Sequence, residues 1–156
     1  MIAVLSLAIV LIDQLTKILV LKNSDKLPLD IIKGLFSIAL VRNKGAAFGI
    51  LQNQKLFFII IAVIAIVAIV WVEVSAMQRN LRKKAPYEIA MLFRISLALI
   101  LGGAIGNLID RIRFGYVVDF LDFKVWPVFN IADSAITIGA VLLLIYLFLQ
   151  KKDKKE

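Results

Sequence analysis

The chain has 156 residues, 62% of them hydrophobic, with a mean hydropathy of +0.94; ordinary globular usage is about 45–50% apolar, so a soluble domain of this size could not hide that surface and lipid is part of its solvent. The formal charge of +8, from 19 Lys+Arg against 11 Asp+Glu, suits anionic headgroups rather than nucleic acid, because many cations sit in short segments beside apolar blocks, as at Arg79, Arg82, Lys83 and Lys84 and at Lys151, Lys152, Lys154 and Lys155. The absence of cysteine and histidine excludes disulfides, Cys nucleophiles, His general bases, His/Cys zinc sites and c-type haem, leaving carboxylates, hydroxyls, lysines or carboxylate-bound metal for any chemistry.

A spanning helix needs about 20 mainly apolar residues. Four blocks qualify: Met1 to Leu21, Leu56 to Val74, Met91 to Ile109 and Ile131 to Leu149. The pattern predicts an all-α membrane protein with four transmembrane helices, both termini on one side, and a single membrane-embedded domain over residues 1–156. The first block carries Asp13 and Lys17 and lacks a basic leading region and a small-residue cleavage site, so it reads as a retained span.

Within the first helix Asp13, Thr16 and Lys17 fall at i, i+3 and i+4 and share one face. The spacing favours a structural ion pair between Asp13 and Lys17. The connector after it contains a β-like run, Leu35 to Val41, then Asn43-Lys44-Gly45 as turn chemistry, then Ala46 to Leu51, which together predict a small hairpin lying on the membrane surface. Cations beside the second connector, Ser75 to Ala90, and in the tail place that side in the cytoplasm. The segment from Lys22 to Lys55 also carries cations, but over a longer stretch and offset by Asp25 and Asp30.

The third helix ends in Gly102-Gly103-Ala104-Ile105-Gly106-Asn107-Leu108-Ile109-Asp110-Arg111. Ala98, Gly102 and Gly106 form a small-xxx-small stripe for close helix packing. Asp110 beside Arg111 reads as a charge pair positioning the outer loop, with Asn107 as a substrate or network contact. In the last connector, Asp119 lies within Val117-Val118-Asp119-Phe120-Leu121, where apolar flanks are out of keeping with a solvated loop; the plainer alternative has Asp119 facing water and its neighbours facing lipid. Tyr116 and Trp126 suit the interface, and Pro127 marks the break before the fourth helix.

That helix opens with Asn130 and Asp133 on one face, with Thr137 a turn further on. Asp133 could serve only as a first-turn carboxylate stabilised by the helix dipole, yet at a membrane boundary it requires polar company. With no His or Cys in the chain, Asp119 and Asp133 are the natural partners for acid–base work. If they meet, two close carboxylates share a proton, one activating water and the other protonating an oxyanion.

The same residues allow other chemistries. A transporter or channel could use Asp13, Lys17 and Asp133. A Ser/Lys dyad could pair Lys17 with Ser6 or Ser134, although Ser6 is too far along the helix axis to meet it. A structural assembly subunit needs none of these groups.

Five blocks in order, Asp13-Gln14-Leu15-Thr16-Lys17, Arg42-Asn43-Lys44-Gly45-Ala46-Ala47-Phe48, Gly102 through Arg111, Val117-Val118-Asp119-Phe120 and Phe129-Asn130-Ile131-Ala132-Asp133, resemble those of the lipoprotein signal peptidase (signal peptidase II) family. The resemblance implies a membrane aspartic endopeptidase that removes the signal peptide of bacterial prolipoproteins, cutting before a diacylglyceryl-modified cysteine. It implies catalysis by Asp119 and Asp133, a site shaped by Asn43, Asn107, Asp110, Arg111 and Asn130, and support from Asp13 and Lys17. It further implies no metal or other cofactor, lipidated precursors and membrane lipids as partners, a monomer, an extracytoplasmic β cradle near residues 35 to 52, and an active site on the outer side of the cytoplasmic membrane.

Overall fold

The computed structural model describes residues 1–45, 53–78 and 87–153. Its elements run α1 (Ile2–Lys22), a 3-10 turn (Ser24–Lys26), β1 (Leu29–Ile32), β2 (Phe36–Asn43), α2 (Lys55–Gln78), α3 (Tyr87–Phe114), β3 (Val117–Asp122) and α4 (Ile131–Asp153). Each of the four helices contains a stretch long and apolar enough to cross a bilayer. The helices need no outside partner for their backbone groups, which is why long apolar blocks settle as helices in lipid. In α2 the spanning stretch has 0% of its residues buried, as expected of a helix whose apolar surface faces acyl chains.

Helix α3 is the hub, packed on α1, α2 and α4. Its small residues make this possible. A Cβ on Gly102 would meet Ser6 O at 2.9 Å on α1, one on Gly106 would meet Asp13 Oδ2 at 2.6 Å, and one on Gly103 would collide with Ala132 O on α4. The Ala98–Gly102–Gly106 stripe therefore faces α1, while Gly103 opens a second contact a step around the helix. Ser6 Oγ seals the α1–α3 seam by donating to Ala98 O at 3.0 Å.

At the end where α1 and α3 finish and α2 and α4 begin, the strands form an antiparallel sheet in the order β1-β2-β3. The expected β element is present, and its described partners lie elsewhere in the chain. β2 is joined to β1, the segment before it, with Leu29 opposite Ile38, and to β3, with Val41 opposite Asp119 and Asn43 opposite Val117. The later partner expected for it, Ala46 to Leu51, lies outside the described residues, as do Arg79, Arg82, Lys83, Lys84, Lys154 and Lys155. Strand β1 carries Leu29, Ile31 and Ile32 more than half exposed.

Strand β3 is buried on both faces. Val118 and Phe120 pack with Val20 of α1 and with Leu27, Ile38 and Leu40, while the alternate residues, Val117 and Asp119, line a cavity between helices. Period-two alternation thus sends one face to the core and the other to the site.

Candidate active site

Beneath the sheet, α1 and α3 enclose a buried charge cluster. Lys17 Nζ lies 2.9 Å from Asp13 Oδ2, 2.9 Å from Asp110 Oδ2 and 3.0 Å from Asn107 Oδ1, so each of the three ammonium protons has an acceptor. Gln14 adds its amide to Asp13, Asp110 and Gly106 O. The remaining lone pairs hold backbone: Asp13 Oδ1 accepts from Ala132 N at 2.9 Å, in the first turn of α4, and Asp110 Oδ2 accepts from Val118 N at 3.0 Å, in β3. The cluster thereby fixes the two elements that carry Asp119 and Asp133.

Asp110 does position the outer loop, but its cationic partner is Lys17 rather than Arg111. Adjacent residues on a helix point about 100° apart and do not face each other. Arg111 turns instead toward α2, where its guanidinium lies 4.9 Å from the Phe58 ring centroid, with a long contact of 3.4 Å to Asn107 O.

Asparagine amides then link the carboxylates. Asn130 Nδ2 donates to Asp119 Oδ1 at 2.7 Å, while Asn130 Oδ1 accepts from Asp133 N at 2.8 Å as the N-cap of α4. Asn107 Nδ2 donates to Asp133 Oδ1 at 2.7 Å. Asn43, the diagonal neighbour of Asp119 across the β2–β3 ladder, donates to Asp119 Oδ2 at 2.9 Å. The far side of every amide faces a group that can only donate: Lys17 Nζ for Asn107, Asp133 N for Asn130 and Gly45 N for Asn43. Each carbonyl oxygen is therefore turned away from the carboxylates and each NH2 toward them.

Asp119 and Asp133 line one cavity of about 840 Å³, together with Asn43, Asn107 and Arg111. From this polar rim it continues down between α2 and α4 past Ala62, Ala65, Ala104 and Ile136. Asp119 is 1% exposed, so the reading in which it faces water is replaced by one in which β3 turns it into the site. Its carboxyl is pushed up to about 7, first by burial and second by the charge of Asp133, against the pull of Asn43, Asn130 and Lys17. A group poised near neutrality can hold or release a proton under working conditions.

The nine residues picked out as site candidates thus fall into two connected layers: Asp13, Lys17 and Asp110 below, and Asn43, Asn107, Arg111, Asp119 and Asp133 lining the cavity, with Asn130 buried behind them. The alternatives find less support in the geometry. Ser134 Oγ donates to Asn130 O and Ser6 Oγ to Ala98 O, and Lys17 Nζ is engaged by Asp13, Asp110 and Asn107 rather than by either serine. Sequence reasoning missed Gln14 and Phe58. The first stood beside Asp13, and its amide was the available signal; nothing local marked the second. Thr137, noted on the Asp133 face, also lines the cavity. Among the described residues no group of three or more His, Cys, Asp or Glu side chains could hold a metal ion.

Comparison with known proteins gives three findings. Residues 5–149 match the family model described as Signal peptidase (SPase) II. The chain is 44% identical over 155 residues to the lipoprotein signal peptidase of Halothermothrix orenii, covering 97% of this chain and 98% of that one, and 47% identical over 142 residues to that of Moorella thermoacetica, covering 89% and 87%. A solved structure described as "Bacterial membrane enzyme structure by the in meso method at 2.3 A resolution" superposes with a TM-score of 0.83 at 34% identity, covering 99% of this chain and 92% of that one.

Proposed function

We infer the reaction from one premise: the chain belongs to the signal peptidase II family. It is a multi-pass membrane hydrolase that removes signal peptides from prolipoproteins. We read it as an aspartic endopeptidase acting as one domain, with Asp119 and Asp133 as the catalytic pair. The observation that carries this reading is that a strand and a helix from different parts of the chain turn these two carboxylates into the same cavity, each held by asparagine N–H donors.

In this reading the pair holds one proton between two carboxylates. The ionised member takes a proton from a bound water as its oxygen attacks the scissile carbonyl, and the protonated member donates to the developing oxyanion. Collapse of the tetrahedral intermediate breaks the C–N bond, the amine leaving group taking up the proton first removed from water while a hydroxyl of the intermediate returns its proton to the other carboxylate, so the pair ends with the single proton it began with. The pair titrates as a unit, so its apparent pKa values belong to both residues. Asn43, Asn107 and Asn130 fix the carboxylate rotamers, and Arg111 stands at the cavity wall to hold substrate carbonyls.

The cavity's continuation between α2 and α4 supports lateral entry of a substrate whose diacylglyceryl cysteine stays in the bilayer. Cleavage before that cysteine then follows from depth: the lipid fixes how far the scissile bond rises toward the carboxylates. In this reading both termini are cytoplasmic, the site lies at the extracytoplasmic boundary, and the enzyme works as a monomer in contact with membrane lipids.

The test compares wild type with Asp119→Asn and Asp133→Asn at equal membrane insertion, using a diacylglyceryl-modified precursor. Each variant loses turnover and keeps most of its substrate binding. Retained cleavage in either one rules out the pair.

A further inference from the structure

We propose that Lys17 is a positioning residue that acts on Asp133 through Asn107, by locking the side-chain amide in the one orientation that presents its NH2 to the carboxylate. This deepens the reading of Asp133 as a catalytic group and rests on it.

An ammonium only donates, and an asparagine side chain has one accepting and one donating end. Lys17 is 2% exposed and has its protons committed to Asp13, Asp110 and Asn107. Its position behind Asn107 therefore forces Oδ1 backward, and a second donor, Asn130 Nδ2 at 3.1 Å, faces the same oxygen. The NH2 end is left for Asp133 Oδ1 at 2.7 Å. A flipped amide would set its NH2 against two donors and its oxygen against a carboxylate. Without the cation the first penalty is reduced to the clash with Asn130 Nδ2 alone, and Asn107 gains easier access to an orientation that repels the ionised form of Asp133.

A purely structural role for Lys17 makes a different prediction. The ion cluster also holds α4 and β3 through Ala132 N and Val118 N, so simple loss of the lysine could fail by misfolding, with two buried carboxylates unpaired. The combined variant Asp13→Asn, Lys17→Met, Asp110→Asn removes all three charges. The two new asparagines retain a carbonyl oxygen for each backbone N–H, so the scaffold contacts remain available.

The experiment compares wild type, this neutral variant, Asn107→Leu and the combination of both, in detergent with a lipidated precursor, after each is shown monodisperse with a measured melting temperature. The expected result is a fall in kcat of roughly 10- to 100-fold in the neutral variant, the size of a lost orienting contact, with KM changed less than about threefold. The combination should be no slower than Asn107→Leu alone, because the lysine acts only through that amide. Wild-type kcat in the folded neutral variant, or losses that multiply in the combination, overturns the proposal. If the neutral variant is not recovered folded, Lys17→Arg decides: it keeps a donor-only cation and should retain at least about a tenth of the wild-type kcat. A folded Lys17→Arg below that level counts against the lock. Should Asp133→Asn itself retain turnover, the reading of the catalytic pair fails first, and the two failures are thereby told apart.

Discussion

Asn130 donates to Asp119 Oδ1 across 2.7 Å and, with its other end, accepts from the backbone N–H of Asp133. One side chain thus caps the helix that carries one carboxylate and holds the other carboxylate in place. Asn130→Asp separates these roles. Aspartate caps helices as well as asparagine does, but at a site 0% exposed it also sets a second carboxylate against Asp119 and loses the donor to Asn107, so the melting temperature should fall. The new carboxylate replaces a donor to Asp119 with a like charge, and turnover should drop at least about 100-fold. Thermal unfolding and precursor cleavage, measured side by side, check both halves.

The pH profile follows from the environment of Asp119. With its carboxyl near 7, owing first to burial and then to the charge of Asp133, raising the pH through that value removes the proton that the proposed mechanism uses as an acid. Turnover should therefore decline on the alkaline side of neutrality. Asn43 donates to the ionised form and lowers this pKa, so Asn43→Leu should shift the alkaline limb of kcat toward higher pH. A shift toward lower pH contradicts the assignment.

Gly103 marks the tightest approach of α3 to α4, where an added Cβ would strike Ala132 O. Gly103→Ala should push the two helices apart and cost about 1–3 kcal/mol. Because Ala132 directly precedes Asp133, activity should fall by more than the loss of folded protein accounts for. Activity per folded molecule, from a detergent melt and a cleavage assay, is the measurement.

Lys17→Met alone strips the cation from between Asp13 and Asp110, both 0% exposed. Breaking a buried ion cluster by removing one partner costs about 3–5 kcal/mol, so this single variant should melt far below wild type. The neutral triple substitution should recover much of that loss. The difference in their melting temperatures tests whether uncompensated charge, rather than lost packing, is responsible.

The sequence spoke clearly where physics is local. Four apolar blocks became four helices because length and hydropathy alone decide what crosses a bilayer, and the spacing of Asp13 and Lys17 announced their ion pair. It spoke less clearly where partners are distant. A short alternating run such as Leu35 to Val41 signals a strand without naming its neighbour, and β2 found Leu29–Ile32 and Val117–Asp122. Asp110 was read with Arg111, its neighbour in sequence, although helix geometry turns them apart and Lys17 comes in from α1. The burial of Asp119 depended on both faces of β3 being covered, which five residues of pattern could not reveal.

Asp13 meets Ala132 across 119 positions of chain. During synthesis, then, the first span enters the bilayer long before the amide that completes its carboxylate exists. The carboxylate cluster of α1 and α3 gains its α4 contact only when the last helix docks. The first and last helices must therefore meet before the cavity lined by Asp119 and Asp133 is complete.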